Sequence, residues 1–228
     1  MTQHDRYEQV IRHFEAAMPD AGPELHYGSA FQLLVAVMLS AQCTDKRVNQ
    51  VTPALFAAYP DAAALAQATP TEVLHYISSV SYPNSKSSHL VAMAQQLMEQ
   101  HEGEVPSEAE ALEALPGVGR KTANVVRAVA FDQPAMPVDT HVFRVANRIG
   151  LTHNSKTPLQ TERTLLRHIP TDKLTRAHHW LILHGRYVCT ARTPHCANCG
   201  LCDCCAYFGQ RVAHAARQQA KTTRSKTQ

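Results

Sequence analysis

Apolar residues recur along this chain at helical spacing. In Tyr7–Met18 they fall at Val10, Ile11, Phe14 and Met18, one stripe of a helix. Phe31–Ala41 is apolar nearly all round, which predicts a central buried helix. Asp45–Ala57, Asp61–Ala68, Thr71–Val80 and Ser85–His101 read as further helices, with a proline-broken turn at Ser81-Tyr82-Pro83-Asn84 before the last. Ser107 reads as an N-cap, with Glu110 completing a capping box. That helix runs to about Leu115, meets Pro116-Gly117-Val118-Gly119, and a second helix starts there. Phe131–Pro137 predicts a rigid extended loop, and helices resume over Thr140–Ile149, Pro158–His168 and Thr171–Tyr187. From Arg211 on, the chain is polar and basic without an apolar face, which predicts a tail lacking regular structure. Alternating β-branched runs and solenoid repeats are absent, so the fold class is all-α.

The composition limits the possibilities. A length of 228 residues makes one large domain or two small ones, and 44% hydrophobic content suffices for a core. The longest apolar run, Phe31–Leu39, is too short to span a bilayer. MTQHDRYEQV carries acid and no apolar segment, so it is not a secretory signal, and a cytoplasmic protein is expected. A net charge of +3 is compatible with nucleic acid without arguing for it. Cys43 stands alone, most simply a small buried residue, while six cysteines fall between Cys189 and Cys205. Without signs of export, that cluster reads as metal ligation more than disulfides.

The candidate chemistry begins at Leu115–Val126, LPGVGRKTANVV. Two glycines one residue apart permit a turn that L-residues resist. The helix that follows points its free N–H groups outward, a geometry that binds phosphate without regard to base sequence. A plain helix–helix connection has the same look, so Gly117 and Gly119 alone decide nothing. Lys121 follows them, and Asp139 comes eighteen residues later in VDTHVFRVANRIG. A lysine here serves most simply as a phosphate contact. As a nucleophile it must be neutral, and the helix N-terminus and Arg120 disfavour its charged form. Asp139 reads as an N-cap for the helix at Thr140, or as a carboxylate that stabilises positive charge on a substrate and helps move protons.

These two motifs, together with LLVAVMLSAQCTDKRVNQV, HEGEVP and HHWLILHGRYVC, resemble the endonuclease III family of helix-hairpin-helix DNA glycosylases, in order and spacing over most of the chain. The resemblance implies that Lys121 is the catalytic amine, attacking C1′ of the deoxyribose as the base leaves. A Schiff base results, and β-elimination cuts the strand 3′ to the lesion. It assigns the essential acid to Asp139. Related adenine glycosylases lack a lysine at this position, which favours a bifunctional glycosylase and lyase.

The family pattern C-x6-C-x2-C-x5-C fits Cys189, Cys196, Cys199 and Cys205, which in the family hold a [4Fe-4S] cluster. By spacing alone, four thiolates also suit zinc. Cys202 and Cys204 depart from the pattern, and a second register through Cys196, Cys199, Cys202 and Cys205 stays open. The loop Thr190–His195 touches DNA phosphates in the family, and here offers Arg192 and His195 as cations. His178, His179 and His184 surround Trp180 on a helix that reads as packing rather than metal binding.

A glycosylase takes its target base out of the stack, leaving a gap for a side chain. Gln42 matches the family residue that enters this gap. The family's second wedge is a leucine in a G-L-Y-N-S-K-like turn; here the turn is Ser81-Tyr82-Pro83-Asn84-Ser85-Lys86, with Tyr82 in the wedge position. The implied DNA-binding set is Gln42, Tyr82, Leu115, Gly117, Val118, Gly119, Thr140, His141 and Arg192. The implied architecture has two helical lobes with a C-terminal cluster loop. They are a six-helix lobe over 23–133 and a cluster lobe of 1–22 plus 134–207, with a basic tail over 208–228 and Lys121 facing Asp139 across a DNA groove. The expected activity is base excision repair of oxidised pyrimidines by a monomer on double-stranded DNA with a damaged base or abasic site. It would be cytoplasmic and nucleoid-associated, with no membrane partner. A monofunctional glycosylase and a non-catalytic iron–sulfur DNA-binding protein are the alternatives.

Overall fold

The computed structural model describes residues 1–225, with side chains through residue 215. Among these residues the secondary structure is entirely helical, twelve α-helices and two short 3-10 turns. No described helix is long and apolar enough to cross a membrane. The chain divides into two compact units, Pro23–Pro137 and Met1–Gly22 with 138–228.

The continuous unit is built on α2 (Ala30–Ser40). Eight of its eleven residues are buried, as an all-round apolar sequence requires. Around it lie α3 (Asp45–Ala58), α4 (Ala62–Ala66), α5 (Pro70–Ile77), α6 (Pro83–Gln100), α7 (Ala109–Glu113) and α8 (Arg120–Ala130). That is seven helical segments among the described residues rather than six, because α4 and α7 are single-turn pieces of five residues each. One core joins Leu34, Leu39, Val48, Leu55, Ile77, Leu90, Met93, Leu97, Leu112 and Val126. α2 packs directly against α3, α6 and α8, so the central helix orders both the turn before α6 and the hairpin before α8.

Three local expectations are corrected. Helix α6 starts at Pro83 instead of after it: proline at the first helical position loses no hydrogen bond and already has a helical φ. Ser107 does not cap α7. Its hydroxyl donates to the Glu108 carboxylate, and the helix opens one residue later without a side-chain cap. The division between units falls after Pro137, not after Gln133, since 134–137 cluster with the continuous unit.

The discontinuous unit packs α1 (Gln3–Ala17), α9 (Thr140–Ile149), α10 (Pro158–His168), α11 (Leu174–Tyr187) and α12 (Ala206–Ser225). Phe14 lies on Trp180 with ring centroids 5.9 Å apart, and the indole N–H donates to the Met18 carbonyl at 2.8 Å. Buried Tyr7 donates to the Leu151 carbonyl at 2.8 Å. Desolvation pushes its phenol pKa far above the usual range. His178, His179 and His184 are all buried, as a packing helix predicts. The predicted tail is helical through Ser225, because its Ala, Arg and Gln residues have high helix propensity even without an apolar face. Residues 226–228 of that tail lie outside the described residues.

Candidate active site

The hairpin lies wholly within the continuous unit. Helix α7 ends at Glu113, and the Val118 N–H closes the turn onto the Leu115 carbonyl at 3.1 Å. Gly117 has φ +76°, and a Cβ there would sit 2.8 Å from the Cβ of His89 on α6. Both the left-handed backbone and the close approach require glycine. Gly119 differs: its φ is −99°, and nothing lies within 4 Å of a Cβ built there. It caps α8 with no side-chain bond, so the first N–H groups of that helix meet no capping side chain. Leu115 and Val118 are 2% and 6% exposed, so only their backbone is available to a ligand. Lys121 is the second residue of α8, with an exposed side chain.

Asp139 belongs to the other unit. It is the N-cap of α9, where Oδ1 accepts from the His141 and Val142 N–H groups at 2.8 Å each. Oδ2 has no hydrogen bond to any described residue. Thr140 beside it is exposed, and half-buried His141 packs on Gly185 of α11.

Gln42 and Tyr82 are brought together through their loops. The Ser81 hydroxyl donates to the Gln42 carbonyl at 2.6 Å. Both Gln42 and Tyr82 have φ +54° and exposed side chains, Tyr82 at 64%. For residues other than glycine that conformation costs about 1–2 kcal/mol, and Pro83 after Tyr82 disfavours it further. Lys86 closes the same turn motif, which assigned it no role. It is 9% exposed, and its ammonium donates to the Leu39 and Ala41 carbonyls at 2.8 and 2.7 Å. Desolvation pulls its pKa below the usual lysine value, with a smaller upward effect from Cys43.

The cysteine region also lies within one unit. Cys189, Cys196, Cys199, Cys202 and Cys205 line one cavity, together with Ile149, His184, Val188, Pro194 and Leu201 among others. Cys204 lies outside it, buried, with its thiol donating to the Leu201 carbonyl at 3.4 Å. Among the described residues no three Cys, His, Asp or Glu side chains converge closely enough for a single metal ion. Burial raises the Cys199 pKa to about 11 and raises that of Cys205, so both thiols favour the protonated form without a cation. His184 Nε2 lies 3.8 Å from the Cys199 sulfur, and burial lowers its pKa to about 4.

Two arginines that sequence reasoning missed fix this loop. Arg148 donates to the Thr190 and Ala191 carbonyls at 2.7 and 2.8 Å and lies 3.5 Å from the Cys189 sulfur. Arg144 donates to the Gly185 carbonyl at 2.8 Å and to the Cys189 carbonyl at 3.2 Å. Their signal was the i, i+4 spacing of arginines in VDTHVFRVANRIG, which puts both on one face of α9. Arg192 and His195 are both exposed on the loop.

Residues 35–171 match the HhH-GPD superfamily base excision DNA repair protein family. Endonuclease III of Rickettsia conorii is 46% identical over 200 residues, covering 88% of this chain and 95% of that one. Endonuclease III of Escherichia coli K12 is 44% identical over 199 residues, covering 87% and 94%. A solved structure of a trapped endonuclease III–DNA covalent intermediate matches with a TM-score of 0.87 at 38% identity, covering 93% of this chain and 99% of that chain. The chain belongs to the endonuclease III family of that superfamily.

Proposed function

We infer that the protein is a bifunctional DNA glycosylase and abasic-site lyase of base excision repair, removing oxidised pyrimidines from double-stranded DNA. Membership of the endonuclease III family carries the activity. The observation that carries the site is an exposed lysine one residue into a helix whose N-terminus has only glycine as its cap. The hairpin backbone of Leu115, Gly117, Val118 and Gly119 holds a DNA phosphate through N–H groups. Neutral Lys121 Nζ attacks C1′ as the glycosidic bond breaks, and its electron pair forms the new C–N bond while the base departs with the bond pair. Loss of a proton from nitrogen and opening of the sugar ring give a Schiff base. Removal of a C2′ proton expels the 3′ phosphate and cuts the strand. Asp139, with Oδ2 left over from capping, stabilises the cationic sugar and accepts or returns protons. Thr140, His141 and Arg192 contact the backbone, while Gln42 and Tyr82 enter the gap left by the flipped base.

The cofactor is a [4Fe-4S] cluster held by Cys189, Cys196, Cys199 and Cys205. What supports this reading is the family spacing of these four cysteines together with the one cavity that all four line. Arg148 beside Cys189 favours that residue as a ligand. The bound cluster supplies folding constraint to a loop with little core of its own. The protein acts as a monomer in the cytoplasm, at the nucleoid.

Borohydride reduction during turnover on an abasic duplex should trap a covalent protein–DNA adduct. Lys121→Ala should abolish it, and an adduct of undiminished yield from that variant would overturn the assignment.

A further inference from the structure

We propose that Ser81 and Lys86 are positioning residues that preset Gln42 and Tyr82 for opening the duplex. This rests on the reading of Gln42 and Tyr82 as the residues that fill the gap.

The two elements involved are the C-terminus of α2 and the start of α6. Gln42 follows the end of α2 and Tyr82 precedes α6, and each holds a left-handed backbone that neither residue type favours. Such conformations persist only where surrounding bonds fix them. Here those bonds run from one six-residue segment. The Ser81 hydroxyl holds the Gln42 carbonyl, and Lys86 Nζ holds the carbonyls of Leu39 and Ala41, the last turn of α2. The Lys86 N–H also closes the first turn of α6 onto the Tyr82 carbonyl at 3.1 Å. The ammonium is therefore a cap: it satisfies carbonyls that a helix end leaves open and sits at the negative end of the α2 dipole.

Among the described residues no carboxylate faces Lys86; its charged or titratable neighbour is Cys43. A buried cation bonded only to backbone serves geometry, since a stability role is met as well by an apolar residue. Three residues further along the same helix, His89 backs Gly117. Helix α6 thus fixes both the gap-filling pair and the phosphate turn on one rigid element. Preset side chains spare the complex the cost of ordering them while a base is being unstacked.

The test uses a duplex carrying a tetrahydrofuran abasic analogue with 2-aminopurine beside it. Binding and base unstacking are read from anisotropy and 2-aminopurine emission. Ser81→Ala and Lys86→Met should each weaken binding about tenfold and reduce the emission rise, on the scale of losses from small misplacements. In a Gln42→Ala/Tyr82→Ala background the same changes should add less than about twofold, because coupled residues are non-additive. Full-sized losses in both backgrounds, or no loss in the wild-type background, overturn the proposal. If Lys86→Met fails to fold, Ser81→Ala, which removes one hydroxyl at a half-exposed site, decides between the two outcomes. Wild-type binding by Gln42→Ala/Tyr82→Ala instead sinks the gap-filling reading itself, and the clamp's purpose with it.

Discussion

Replacing Gly117 with alanine separates two glycines that look equivalent in the sequence. At Gly117 an added methyl meets the Cβ of His89 at 2.8 Å, on a backbone with φ +76°. The left-handed conformation costs about 1–2 kcal/mol for an alanine. Overpacking against the root of a side chain, which cannot swing away, adds about 1–3 kcal/mol. The total is roughly 2–5 kcal/mol, and for a chain of this size each kcal/mol moves the melting temperature by about 2–4 °C. Gly117→Ala should therefore melt about 4–20 °C below wild type. Gly119→Ala has φ −99° and open space at Cβ, so it loses only the small preference for glycine over alanine at an N-cap, under about 1 kcal/mol. His89→Ala should rescue Gly117→Ala only in part, because it removes the ring atoms at 3.0 and 3.1 Å but keeps the Cβ at 2.8 Å. Thermal unfolding followed by circular dichroism measures all four proteins. Equal melting temperatures for the two glycine variants, within about 1 °C, would refute the argument. Borohydride trapping on an abasic duplex gives the functional counterpart: Gly117→Ala should trap poorly even well below its melting point, since the turn that leads into α8 is displaced.

Four further outcomes follow from individual contacts. Tyr7→Phe removes one buried hydrogen bond to the Leu151 carbonyl, which keeps the Gln3 amide as a donor at 3.2 Å, and should cost about 1 kcal/mol in urea unfolding. Arg148→Ala releases the Thr190 and Ala191 carbonyls and a stacking contact with Tyr207 at 4.9 Å; iron content per protein should fall on purification while α-helical content is kept. Desolvation is the largest influence on His179 and depresses its pKa, partly opposed by its bond to the Thr175 carbonyl. The unfolded chain then takes up a proton near pH 6.5 that the folded one refuses, so stability is full above that pH and is lost as pH falls below it. Melting temperatures between about pH 7 and 5 should fall less steeply in His179→Gln, and parallel curves would show that the imidazole is not responsible. Asp139→Asn keeps an N-cap for α9 but loses the charge, so strand cleavage should drop about 100-fold or more with a melting temperature within about 2 °C of wild type.

The parts of this fold that sequence periodicity reveals are those governed by burial along one helix. The all-apolar run at Phe31–Ala41 became the buried α2, and the stripe at Val10 and Phe14 became the buried face of α1. Asp139 was readable as a cap because capping is local: the acceptor and its two N–H donors lie within three residues. The single-sequence pattern fails where the partner is distant. Ser107 with Glu110 has the spacing of a capping box, yet the adjacent Glu108 carboxylate takes the hydroxyl. Lys86 is a lysine in a polar stretch of sequence, and a lysine in such a setting is ordinarily solvated. Its burial depends on carbonyls 45 and 47 residues away, and no spacing rule encodes that. Arg6 behaves alike, donating to Gly150 and Cys204 carbonyls from the far end of the chain and so tying α1 to the segment between the last cysteines and α12. In both cases a cation is spent on main-chain oxygens rather than on an acid. Such bonds fix where a backbone runs, and they leave the polar side chains nearby free to meet a ligand. That is why the residues proposed to touch DNA were legible as motifs with roles, while the role of the ones that hold them in place became visible only once the chain was folded.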